Sequence, residues 1–302
     1  MDWLEQHFTV ENSLSRPNWE PIYRHAESEL SNEDQDKLWT EIMRCWVNKL
    51  CQDLSDGYYV KETDNFALLT NANTRYADSL SGFLERCLKR LNHILKGIAS
   101  DEGFGKYVVM VFDNNDRYYD YISYYGPQEG TYGLSSGMYL NYGYGHFVFP
   151  HQELDFSEPI VAHEMTHAVL SHLPIPLWLN EGMAVNMEAM ITGFNPPHLD
   201  KEMFTKHQSF WSEKEIQEFW YGSSFGRPDE GQQLSYQLAQ ILVTNLSEQY
   251  EAFAKFSNLA HWQDGGEAAI RDIFSISLGD MIGNFLGPGN WAPDPESWEK
   301  ET

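Results

Sequence analysis

Apolar residues along this chain recur with two periods, and the switches between them predict its elements. Up to about residue 55 the spacing is helical, with Leu38, Ile42, Cys45 and Trp46 following the cap-like run Ser31-Asn32-Glu33-Asp34. From Tyr58 the pattern shortens: Tyr58-Tyr59-Val60 and Phe66 to Thr70 read as strands joined by the polar turn Lys61 to Asn65. Leu80, Phe83, Leu84, Cys87, Leu88, Leu91, Ile94 and Ile98 then step by threes and fours, which predicts a long helix packed on the sheet. Tyr107 to Phe112 is an unbroken apolar run of strand length, expected at the centre of the sheet and ended by Asp113-Asn114-Asn115-Asp116. That acidic turn lacks the full spacing of a calcium loop and reads as a solvated turn.

Between Gly137 and Phe149 the residues alternate as one strand would, with Tyr142, Tyr144, His146 and Val148 on one face and Gly143 and Gly145 on the other. Two glycines would let another backbone approach closely. A helical pattern then resumes. Val161, Met165, Ala168 and Val169 form its buried face, Asp155 or Ser157 can cap it, Pro159 fits its first turn, and Pro174 stops it beyond His172. A second helix follows the Pro174-Ile175-Pro176 turn and ends near Gly193. Past the Asn195-Pro196-Pro197 turn the chain reads as mostly helical. A polar, glycine-bearing loop from Gly222 to Gly231 precedes an amphipathic helix with Leu234, Leu238, Ile241 and Leu242, and the last residues read as a surface tail. The expectation is an α+β chain in three stretches: a helical segment over 1–55, a sheet lobe over 56–155 and a helical lobe over 156–302.

The helix expected after Pro159 carries His163-Glu164-Met165-Thr166-His167, of the form H-E-x-x-H. Residues four apart stand about 40° apart around a helix, so both imidazoles can reach one ion. Glu164 leaves the helix about 100° from His163, placed to act as general base on a water in an open coordination position. Fourteen residues after His167 stands Glu181, within Trp178-Leu179-Asn180-Glu181-Gly182-Met183-Ala184. A catalytic zinc takes three protein ligands and one open position, and a carboxylate on the adjoining helix completes a His₂Glu set.

HEMTH followed by WLNEGMA resembles the gluzincin metallopeptidases, which include thermolysin-like enzymes and M1-type aminopeptidases, and the spacing is closest to the smaller peptidase MA-like proteins. The resemblance implies a zincin-like fold: a small mixed sheet with an edge strand beside the active-site helix, a helical C-terminal lobe, and a cleft between the lobes. It implies one Zn²⁺ on His163, His167 and Glu181. Glu188 stands at the offset of a further carboxylate in the aminopeptidases and, with Asn180, is a candidate to support the ligands. The stretch with Tyr142 and Tyr144 resembles the substrate-pairing edge strand in position, and those tyrosines are candidate substrate contacts. They serve equally well as residues that cover the sheet. Tyr236, off the apolar stripe of its helix, resembles the residue that hydrogen-bonds the oxyanion, ahead of Tyr221 and His198. The aminopeptidases carry G-x-M-E-N on their edge strand; here Gly137-Met138-Tyr139-Leu140-Asn141 lacks the Glu, so aminopeptidase specificity is not supported.

Composition narrows the partners. The chain has 302 residues, 20 Lys and Arg, and a net charge of −25, which argues against binding nucleic acid. No stretch approaches 18 consecutive apolar residues and the first residues have no apolar core, so no membrane partner is expected and the reading is cytoplasmic. Cys45, Cys51 and Cys87 lack C-x-x-C spacing and read as idle thiols. His172 lies too far round the helix to join the metal, and His146 and His151 read as hydrogen-bonded or surface histidines. The function expected is zinc-dependent hydrolysis of a peptide or protein substrate, with Glu164 as base. The alternatives are a catalytically silent zinc-binding protein of the same fold and a non-peptide amide hydrolase; oligomeric state is left open.

Overall fold

The structure, a computed structural model, describes residues 2–26, 31–54, 57–100, 103–126, 136–193 and 200–298. The chain forms two compact units, Met1–Arg90 with Asp101–Ala168, and Leu91–Ser100 with Val169–Thr302. The division therefore differs from the three consecutive stretches expected. The N-terminal helices, the sheet and HEMTH belong to one unit, and residues 91–100 belong to the helical one.

The first unit opens with α1 (Asp2–Glu5), a hairpin of β1 (Phe8–Glu11) and β2 (Leu14–Pro17), then α2 (Trp19–Ala26) and α3 (Asn32–Leu54). The hairpin turns through Asn12 and Ser13, both at positive φ, which matches the twist of paired strands. α3 starts at its predicted cap, where the Asp34 N–H donates to Ser31 Oγ at 3.2 Å.

Five strands form one mixed sheet. Across it lie β3 (Tyr59–Glu62), β4 (Phe66–Thr70), β5 (Tyr107–Phe112), then β7 (His146–Pro150), with β6 (Met138–Leu140) at the edge. β4, β5 and β7 are parallel, and each outer strand runs antiparallel to its neighbour. Parallel neighbours need long crossovers, supplied by α4 (Thr74–Ile94) and by the segment containing α5 (Asn115–Ser123). On one face Ala67, Leu69, Val108, Met110, Phe112 and Val148 share a core with Trp46 and Val47 of α3 and Tyr118 and Tyr121 of α5. The alternate residues Leu68, Val109, Val111 and Phe149 are buried too, as the unbroken run of β5 required. α6 (Leu154–Leu170) lies on this second side: a Cβ on Gly137 would fall 2.3 Å from Ile160 Cγ2 and 3.2 Å from Phe149 Cβ.

Three details correct the expectations. The alternating stretch from Gly137 is two strands, because Gly143 at φ +63° turns the chain and a Cβ there would meet the Trp19 ring at 2.1 Å. α6 begins earlier than expected, so Pro159 lies inside it. Ser157 does not cap it; its hydroxyl meets the Tyr76 hydroxyl at 3.0 Å and the Glu153 carbonyl at 3.3 Å. The turn at residues 113–116 is largely exposed, as expected, and it also caps α5: Asn114 Oδ1 accepts from the Arg117 N–H, and Asp113 accepts from the Tyr58 hydroxyl.

The second unit is helical: α7 (Leu177–Thr192), α8 (Lys201–Phe210), α9 (Glu215–Tyr221), α10 (Glu230–Ser247), α11 (Tyr250–Leu259), α12 (Glu267–Phe274) and α13 (Leu278–Leu286). The Asn195-Pro196-Pro197 turn lies outside the described residues. The expected surface tail is partly anchored. Trp291 is buried, its carbonyl accepts from Trp220 Nε1, and Gln217 bonds the backbone of Ala292 and Asp294. No described helix is long and apolar enough to cross a membrane.

A buried polar chain runs through the first unit. Arg16 donates to the Tyr125 hydroxyl, which lies 3.2 Å from the Tyr121 hydroxyl, and Tyr121 meets His146 Nε2 at 2.8 Å. His146 Nδ1 contacts the Tyr144 carbonyl at 2.7 Å, so the ring is a neutral Nδ1–H tautomer. Burial lowers its pKa from 6.5 to about 4. The unfolded chain then binds more protons between those values, so this stabilisation is complete above pH 6.5 and lost as pH falls toward 4. His146→Gln should reduce the loss of unfolding free energy between pH 7 and pH 5 by about 2 kcal/mol, read from urea midpoints. An unchanged pH dependence would contradict a buried neutral histidine.

Candidate metal centre

α6 and α7 carry apolar residues all round, and about half of their residues are buried. In the second half of α6, Val161, Ala162, Met165, Thr166, Ala168 and Val169 are buried. Ile160, His163, Glu164 and His167 are half-buried and stand at i, i+3, i+4 and i+7. That spacing defines one helical stripe, so both histidines and the glutamate share the partly open face of the helix. The His163 and His167 rings lie 4.8 Å apart and nearly perpendicular.

Glu181 comes from the second turn of α7. Pro176 occupies the N-cap position of this helix, and Gly193 ends it in the left-handed conformation at φ 75°. Trp178 anchors α7 within its unit: it is fully buried, its Nε1–H donates to the Gly265 carbonyl at 2.9 Å, and its ring packs on Trp220 and Phe256. Glu181 itself is buried at 9% exposure. One ligand atom from each of His163, His167 and Glu181 lies within 4.8 Å of the others, so these three can hold a metal ion. Among the described residues no other group of three or more His, Cys, Asp or Glu side chains does so. Two imidazole nitrogens and a carboxylate oxygen are a donor set for a borderline divalent ion.

Glu164 is outside that trio and is held by the sheet. The Tyr139 backbone N–H donates to Glu164 Oε2 at 2.6 Å. Tyr139 sits on edge strand β6, and its amide turns toward Glu164 from the strand's outer side. A backbone amide orients one carboxylate oxygen without adding a charge, and charge assistance makes the bond strong.

The remaining candidates separate. Asn180 and Glu188 are half-buried on α7; Glu188 is seven residues past Glu181 and so close to the same face, and neither belongs to the group of three. Tyr236 is half-buried on α10, with its ring edge-on to Phe225 at 5.2 Å. It lies one turn before Gln240, on the side of α10 that meets α7. Tyr144 is at 7% exposure and packs with the core, its hydroxyl donating to the Lys106 carbonyl at 2.6 Å, as the sheet-covering reading expected. Tyr142 is 59% exposed in the β6–β7 loop, so the two tyrosines do not share a face as expected. His172 is exposed beyond α6, and His151 is exposed with its ring on Tyr76. Tyr221 ends α9 against Trp298, and His198 lies outside the described residues. The three thiols are free, and burial pushes Cys87 up to about 12.

Sequence reasoning missed Gly182 and Tyr139. A Cβ on Gly182 would fall 2.5 Å from the Ala239 carbonyl oxygen and 2.6 Å from Val243 Cγ2, so the glycine beside Glu181 lets α10 close on α7. Asn186 secures the contact by donating to the Gly182 and Gln240 carbonyls and accepting from Thr244. The signal was a glycine inside a helical pattern, which costs stability unless packing requires it. For Tyr139 no local signal existed, because the group involved is backbone.

No family model matches the chain, and no curated protein matches it either. The metal centre therefore rests on the geometry of its own residues.

Two outcomes follow. Gly182→Ala should cost about 1–3 kcal/mol in denaturant unfolding, since the added methyl meets backbone; no loss would show that α7 and α10 are not in close contact. A divalent transition metal at about 100 times its Kd should stabilise the protein by about 2.7 kcal/mol. That gain, read by thermal unfolding, should vanish in His163→Ala and in Glu181→Ala.

Proposed function

We propose that the chain is a zinc-dependent peptidase of the gluzincin type, with a zincin-like fold. The observation that carries the reading is the convergence of His163, His167 and Glu181 with a fourth group, Glu164, on the same stripe of α6 as the two histidines. A purely structural zinc site closes with four protein ligands and has no use for an oriented carboxylate beside it.

His163, His167 and Glu181 would hold the ion. Zinc, when bound, supplies an acidified water and polarises a substrate carbonyl. Glu164 would accept a proton from the water as the water oxygen bonds the carbonyl carbon, and would return that proton to the amine nitrogen as the C–N bond breaks, so one carboxylate serves as base and then as acid. The bond from Tyr139 N–H fixes its orientation during both transfers. Tyr236 is the candidate to donate a hydrogen bond to the developing oxyanion, a role that depends on preorganised direction. Glu188 and Asn180 are candidates to steady the ligands from α7. The substrate is a peptide or protein whose extended backbone lies beside β6, where strand-like hydrogen bonds bind regardless of side chain.

The test compares wild type with Glu164→Gln. Wild-type protein loaded with zinc should cleave members of a quenched-peptide library, and a chelator should abolish cleavage. Glu164→Gln should keep the zinc and lose at least about 10²-fold in kcat/KM. Retained turnover in the zinc-loaded variant would remove Glu164 from its role. Zinc retained by wild type without cleavage of any peptide would leave a metal-binding protein or a non-peptide hydrolase.

A further inference from the structure

Tyr139 serves two purposes. Its backbone N–H holds Glu164, and its side chain lines a cavity of about 280 Å³ contained in the first unit. The cavity lies where β5 begins and the β6–β7 loop turns, and six rings wall it: Tyr23, Trp39, Phe104, Tyr107, Tyr139 and Tyr144.

The walls are tied to the cavity's own backbone. Tyr144 donates to the Lys106 carbonyl at 2.6 Å, Tyr23 donates to the Gly143 carbonyl, and Asp36 accepts from the Gly105 N–H at 2.9 Å. Glycine allows the rings to approach: a Cβ on Gly145 would fall 2.4 Å from the Tyr139 hydroxyl oxygen. The shape is thus set before a ligand arrives, which lowers the cost of binding. The volume falls below the roughly 300–1,000 Å³ of drug-sized sites, so it suits a single ring. Lys106, the one charged side chain of the lining, already has its ammonium on Glu62 at 3.0 Å and on the Thr63 carbonyl. Aromatic walls attract either another ring, edge to face, or a cation. The Lys106 charge is already neutralised, and with no carboxylate among the described lining residues nothing there offsets the desolvation of a second cation, which favours the ring.

We propose that this cavity is a specificity pocket that takes an aromatic side chain of the substrate, from an extended peptide lying beside β6. The proposal rests on the peptidase reading for the nature of its ligand and adds which residue type that ligand presents. The link is Tyr139, one residue that lines the pocket and holds the general base.

Gly103 gives a means of closing the cavity. Its φ lies outside the left-handed region and a Cβ there would meet nothing within 4 Å, so Gly103→Phe adds a ring to the lining without overlap at Cβ. Tyr23→Ala, at a wall residue 38% exposed, is the second variant. Saturation-transfer NMR on the metal-free full chain, with N-acetylphenylalaninamide and N-acetyllysinamide as probes, reads the pocket independently of catalysis. Zinc-loaded protein is then given peptides that differ by Phe, Lys or Ala at one scanned position. Phenylalaninamide should bind wild type, and both variants should weaken it. At one position Phe peptides should exceed Ala peptides by about tenfold or more in kcat/KM, a ratio that Gly103→Phe brings close to one. Absence of phenylalaninamide binding to wild type, or binding unaffected by both variants, overturns the pocket even if peptides are cleaved. Preferential binding of lysinamide overturns the aromatic assignment. Ring binding that the variants remove, without cleavage of any peptide, supports the ring site and overturns the peptidase reading.

Discussion

Everything proposed for this protein depends on two imidazoles one turn apart on a helix that is otherwise committed to packing. α6 buries Val161, Met165, Ala168 and Val169, and its stripe of Ile160, His163, Glu164 and His167 stays half-buried. A helix fixed by packing offers ligands whose direction is set by backbone, so little ordering remains to be done when an ion arrives. Glu181 joins from α7, whose own position in its unit is set by the buried Trp178 and by the close α7–α10 contact at Gly182. The proposed base is arranged differently. Glu164 is oriented by the main chain of Tyr139, so its geometry depends on the register of β6 against β7 as much as on its own helix.

What could be read in advance follows from which signals are local. Helical spacing identified α3, α4 and α7, with Ser31 and Gly193 marking ends by chemistry that operates within a few residues. The apolar run Tyr107–Phe112 announced a strand covered on both faces. The candidate trio was legible because H-E-x-x-H encodes one face of a helix and Glu181 sits on the next element, and the structure brings the three close enough to hold an ion.

The misreadings are tertiary. Period-two alternation suggested one strand where Gly143 turns the chain against Trp19, a residue more than a hundred positions away. The same contact moves Tyr144 into the core with Trp39 and Trp46, while Tyr142 stays exposed. Pro159 suggested a helix start because proline is tolerated there, yet α6 begins at Leu154 and carries the proline inside. The C-terminal residues read as a surface tail by composition, and residues 294–297 are exposed, though Gln217 of α9 bonds the backbone of Ala292 and Asp294. At Gly143 a long-range packing contact outweighed a sound local preference.

The most direct measurement is X-ray absorption at the zinc edge, together with elemental analysis, on purified wild type and on Glu181→Ala. The account predicts one zinc per wild-type chain, with two imidazole nitrogens and oxygen donors at about 2.0–2.1 Å, and a weakened or lost oxygen shell in the variant. A zinc shell containing sulfur, a site unchanged by Glu181→Ala, or a wild-type chain that takes up no zinc would contradict it.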